Sequence, residues 1–91
     1  MNNQQTVSRF FMQNSKIHIG KIIEQKFNES GMTKKSFAQK LGCERNNIYN
    51  IFEKQSINID LLYNISIILH CDLFQIYTNE LKKEIVSKLD T

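Results

Sequence analysis

Proline is absent from the chain, and glycine occurs only at positions 20, 31 and 42. Tight β-turns draw on both residues, so their scarcity argues against a hairpin-rich fold and for helices. Cysteine occurs twice, as Cys43 and Cys71, without C-x-x-C spacing, and the two histidines, His18 and His70, fit no ligand pattern. No metal site and no cofactor is therefore expected. Two thiols with no secretory signal fit a reducing, cytoplasmic setting. The longest apolar run, residues 65–69 interrupted by Ser66, is far too short to span a membrane. There is no Ser/His/Asp set, no carboxylate pair and no activated thiol, and glycine is too scarce for a phosphate-cradling loop. The chain is not expected to be an enzyme.

What remains is a small, basic, helix-patterned chain. Its 91 residues allow one small domain, and 41% hydrophobic residues suffice for a folded one. The net charge of +3 is unevenly spread. Residues 16–55 carry seven lysines and one arginine against four glutamates, whereas residues 56–91 carry three lysines against five acids. A polyanion is a natural partner for the middle of such a chain, and a solvated lysine-rich face is the plainer alternative.

Residues 1–15 are rich in Asn and Gln, with Phe10, Phe11 and Met12 as their apolar cluster, and read as a flexible N-terminal arm. From Ile17 a helical period begins: Ile19, Ile22, Ile23 and Phe27 form one stripe, ended at Ser30-Gly31. Four later helix starts share one spacing, an apolar residue, a polar cap, and an apolar residue four positions after the cap. These are Met32-Thr33-Phe37, Cys43-Glu44-Ile48, Ile57-Asn58-Leu62 and Cys71-Asp72-Ile76, the pattern of the hydrophobic staple. The expected helices are 17–29, 34–41, 45–53, 59–69 and 73–78. A sixth is expected over 80–90, with Leu81, Ile85, Val86 and Leu89 on one face. The expected domain covers residues 16–78, and residues 79–91 form a separate amphipathic helix.

Residues 33–52 carry the most specific pattern. Phe37 and Leu41 lie i, i+4 on the inner face of one helix, and Ala38 is small where a second helix must cross. Gly42 permits a turn of positive φ, and Ile48, Ile51 and Phe52 are the core stripe of the next helix. The set Thr33, Phe37, Ala38, Leu41, Gly42, Cys43, Glu44, Ile48 and Ile51 resembles the helix-turn-helix of the lambda-repressor/Cro (XRE) family. The likeness extends over about residues 17–77. It implies an all-α, compact five-helix lambda-repressor-like domain, here with a short extra C-terminal helix. It also implies a transcriptional regulator that binds double-stranded DNA as a homodimer on a two-fold operator. Glu44 departs from the pattern, which has Ser or Thr at that cap, and Lys34 stands where Gln is frequent.

On a helix with Ile48, Ile51 and Phe52 inward, Asn46, Asn50 and Glu53 point away. Asn bonds the N6 and N7 edge of adenine, and Arg bonds O6 and N7 of guanine. The candidate base readers are Arg45, Asn46 and Asn50, flanked by Asn47 and Tyr49; Tyr49 also reads as a residue at the rim of the core. Lys34, Lys35, Lys40 and Lys54 are the candidate phosphate contacts, with simple solvation the alternative for Lys35 and Lys40. Leu81, Ile85, Val86 and Leu89 form either a dimer seam or a face folded back on the domain. A different class of function also fits: an antitoxin or adaptor that grips a protein partner through the N-terminal arm or the last helix.

Overall fold

The Thr33 hydroxyl accepts a hydrogen bond from the Ser36 amide at 3.1 Å, and the chain becomes helical at the next residue. Asn58 does the same for the Leu61 amide at 2.7 Å. Each cap satisfies one of the amides that a helix start leaves without a partner. In the computed structural model, which describes residues 17–89, these and similar signals delimit five helices. They are α1 (Ile19–Ser30), α2 (Lys34–Leu41), α3 (Arg45–Phe52), α4 (Ile59–Leu69) and α5 (Phe74–Leu89). No strand occurs among the described residues. The expected N-terminal arm lies outside them.

Two boundaries differ from the expectation by more than a single residue. The first helix begins at Ile19 rather than 17, because His18 serves as its cap: Nδ1 accepts from the Lys21 amide at 3.2 Å. The larger difference is at the C-terminal end. The two helices expected at 73–78 and 80–90 are one continuous helix, α5, so the short extra helix is not a separate element. Residue 79 is an Asn, a weak helix former but no breaker, and neither Pro nor Gly lies nearby to stop the helix. Thr78 Oγ1 bonds back to the Phe74 carbonyl at 3.2 Å, and just past the expected break Lys83 Nζ reaches Glu80 at 3.4 Å.

The core forms where α1 and α2 pack against α3 and α4. Ile19, Ile23 and Phe27 of α1, Phe37 of α2, Ile48 of α3 and Ile65 of α4 are buried there. Phe27 is central: its ring stacks on Phe37 with centroids 5.2 Å apart and lies 5.6 Å from Phe52. Burial of each such side chain contributes about 1.5–3 kcal/mol. Gly42, with φ +74°, makes the turn between α2 and α3 in the left-handed region, where a Cβ would be strained.

Glu44 is the weak cap. It occupies the N-cap of α3, but its side chain makes no capping hydrogen bond. A carboxylate on a longer stem cannot fold back as a Ser hydroxyl does. Glu44→Ser should therefore raise stability by about 0.5–1 kcal/mol, read as a higher midpoint in urea denaturation with an unchanged slope. No gain would mean that the favourable charge of Glu44 at the helix N-terminus already matches a cap.

Candidate nucleic-acid interface

α3 has eight residues, and Ile48, Ile51 and Phe52 are its buried ones. The other five, Arg45, Asn46, Asn47, Tyr49 and Asn50, are all exposed. The five residues expected to read bases therefore share one continuous surface. Helical spacing puts Asn46 and Asn50 on its central line. Asn47 and Asn50 border a groove between α3 and the start of α4, together with Lys54, Leu41 and Leu61. Tyr49 lies on the opposite flank, beside His18, Lys21 and Glu24.

The orientation of α3 is set at its C-terminal end. The Ile19 amide donates to the Gln55 carbonyl at 3.1 Å, and the Gly20 amide to the Lys54 carbonyl at 2.9 Å. The Gln55 side-chain amide donates in return to the carbonyl of Ile17. Amides that α1 leaves unpaired at its start thus satisfy carbonyls just past the end of α3. The approach is close enough that a Cβ built on Gly20 would lie 2.4 Å from the Phe52 carbonyl oxygen. These tethers escape a sequence reading, although one signal was present: a glycine inside an amphipathic helix costs about 1 kcal/mol and so marks a packing demand.

The lysines divide. Lys35, Lys40 and Lys54 are exposed, while Lys34 is half-buried. Lys34 Nζ sits 5.6 Å from the Phe27 ring centroid and 5.2 Å from that of Tyr49. Each such cation–π contact contributes about 0.5–1 kcal/mol. Lys34 is thus more than a solvated charge, because it holds one face of the Tyr49 ring. Tyr49 remains 46% exposed, so its ring is both braced from within and open to solvent.

The field over this surface is mixed. Glu44 and Glu53, both exposed, bracket α3 at its two ends, so Arg45 is the one cation on α3 and further positive charge must come from α2, Lys21 and Lys54. Lys34 and Lys35 occupy the first turn of α2, where the helix dipole opposes a cation by about 0.3–1 kcal/mol each. A phosphate beside that turn would relieve the opposition, since it is drawn to both the amides and the ammonium groups. Cys43, in the turn before α3, is half-buried, and burial raises its thiol pKa, which disfavours the thiolate.

Leu81, Ile85, Val86 and Leu89 lie on the stretch of α5 beyond the core, where every described residue from 81 onward is exposed. They are not folded back on their own domain. A second apolar stripe, not anticipated from sequence, runs along the outer face of α4 through Ile59, Tyr63 and Ile67. Among the described residues, no single helix is long and apolar enough to cross a membrane.

Comparison with known proteins finds no matching family model, no similar curated protein and no similar solved structure. The chemistry of the surface itself therefore carries the functional assignment.

Proposed function

We propose that the chain is a sequence-specific double-stranded DNA-binding protein, a transcriptional regulator of lambda-repressor/Cro type that lays α3 in the major groove. One observation carries this reading. The five outward residues of α3 are an arginine, three asparagines and a tyrosine, all exposed and none acidic. Surfaces built only for solubility favour Lys and Glu, whereas Asn and Arg in this density match the hydrogen-bonding edges of bases. Arg45, Asn46 and Asn50 read bases, Asn47 and Tyr49 support them, and Lys34, Lys35, Lys40 and Lys54 neutralise phosphates. Homodimerisation would present two copies of α3 to half-sites about one helical turn apart.

Selection from random duplex DNA at moderate salt should enrich one motif, palindromic in form. Recovery of no motif, with binding that depends on salt alone, would overturn sequence-specific recognition and leave only a basic surface.

The adaptor or antitoxin reading draws on a different observation, the exposed apolar residues of α5. Removal of residues 79–91 decides between the two. Loss of a bound protein with DNA selection intact favours the adaptor.

A further inference from the structure

We propose that the apolar stripe on α4 is the docking surface for the projecting end of α5 from a second copy of the chain, each copy covering the other. Two observations lead there, and neither depends on DNA binding.

The first is that both stripes lack cover and match each other. Ile59, Tyr63 and Ile67 recur at i, i+4, i+8 on α4, and Leu81, Ile85 and Leu89 recur at the same spacing on α5. Each stripe is therefore about 12 Å long. The six side chains are between 49% and 78% exposed. In α4 the inner face, Leu62, Ile65 and Leu69, already belongs to the core, so the apolar residues of the outer face form a second, uncovered stripe. Ridges of i±4 spacing on two helices interlock. The stripes cannot meet within one chain, because α5 leaves α4 through a bend of 119° and its residues beyond 80 stay exposed.

The second observation is area. With at least about half of each residue exposed, each of the six leaves on the order of 100 Å² in water. Reciprocal coverage by two copies then buries up to about 1,200 Å², which just reaches the range of stable interfaces. Pairing of two α5 stripes alone would bury about half of that, below what a specific dimer needs.

The test uses the full chain. Wild type should sediment as a dimer across the micromolar range. Tyr63→Glu and Ile85→Glu, both at exposed positions, should each weaken dimerisation at least about tenfold while helical content stays unchanged. Under mild oxidation, the double variant Tyr63→Cys with Ile85→Cys should give a disulfide-linked dimer above the wild-type background. Neither single variant should do so. A monomeric wild type overturns the proposal, as does a double variant that gives no linked dimer or closes within one chain. Cross-linking by Ile85→Cys alone would show α5 paired with α5 and overturn it too. Dimerisation indifferent to Tyr63→Glu would overturn it equally.

Discussion

Replacing Gly20 with alanine should lower the melting temperature by about 8–16 °C, the equivalent of about 2 kcal/mol in a domain of this size. Helix propensity alone predicts the reverse, because Ala is better than Gly inside a helix by about 1 kcal/mol. The site decides the sign. A Cβ at position 20 would lie 2.4 Å from the Phe52 carbonyl oxygen, 2.5 Å from that of Ile51 and 2.6 Å from the Phe52 carbonyl carbon. All three are backbone atoms, so no rotamer change relieves the clash. Relief requires α1 and the end of α3 to separate, which stretches the Gly20–Lys54 and Ile19–Gln55 hydrogen bonds. Overpacking of this kind costs about 1–3 kcal/mol, and more where it strikes main chain, so it outweighs the propensity gain. Thermal unfolding followed by circular dichroism reads the result. An unchanged or raised melting temperature would show that α1 is not seated as closely as described. Because the same contact aims α3, the variant should also bind selected DNA more weakly at temperatures where it remains folded.

Asn46→Ala should erase discrimination at one base position of the selected motif, at a cost of about 1–3 kcal/mol, or roughly 5- to 150-fold, against the preferred base. Asn46 is exposed, lies on the outward line of α3 and takes part in no core contact, so its loss leaves the fold intact. The contrasting variant is Lys35→Ala. Lys35 is exposed on the first turn of α2, and its removal should weaken all sequences alike and reduce the salt slope by about 1. Lys34 is a poorer control than Lys35, since its ammonium also braces the Tyr49 ring. Lys34→Ala should both lower the salt slope and blur the preference near Tyr49. Fluorescence titration against the selected duplex and its single-base variants, at several salt concentrations, separates these outcomes. Equal behaviour of Asn46→Ala and Lys35→Ala would mean that the outward face of α3 is not the one that reads bases.

The difference between Lys34 and Lys35 shows where a sequence reading reaches its limit. Both are lysines at the start of one helix, and nothing in their spacing separates them. Only the crossing of α1, α2 and α3 brings Phe27 and Tyr49 to Lys34. α4 poses the same problem in apolar form. Its inner stripe, Leu62, Ile65 and Leu69, and its outer stripe, Ile59, Tyr63 and Ile67, both fit a helical period, so periodicity could not say which one the core would take.

By itself the sequence determined what is local. Thr33 and Asn58 cap α2 and α4, Gly31 and Gly42 close α1 and α2 in the left-handed region, and the stripe of α3 turns Arg45, Asn46, Asn47, Tyr49 and Asn50 outward. Those outcomes depend on residues within one helical turn of each other, and helix period and cap chemistry encode them directly. The tertiary structure alone decided what joins distant positions: Gly20 against the Phe52 carbonyl, the amides of residues 19 and 20 on the carbonyls beyond α3, and the uncovered face of α4. The physical reason is that a single helix specifies which face is apolar but not which neighbour meets it. That follows from how all the helices pack at once, and the packing here aims α3 and leaves two apolar stripes in water.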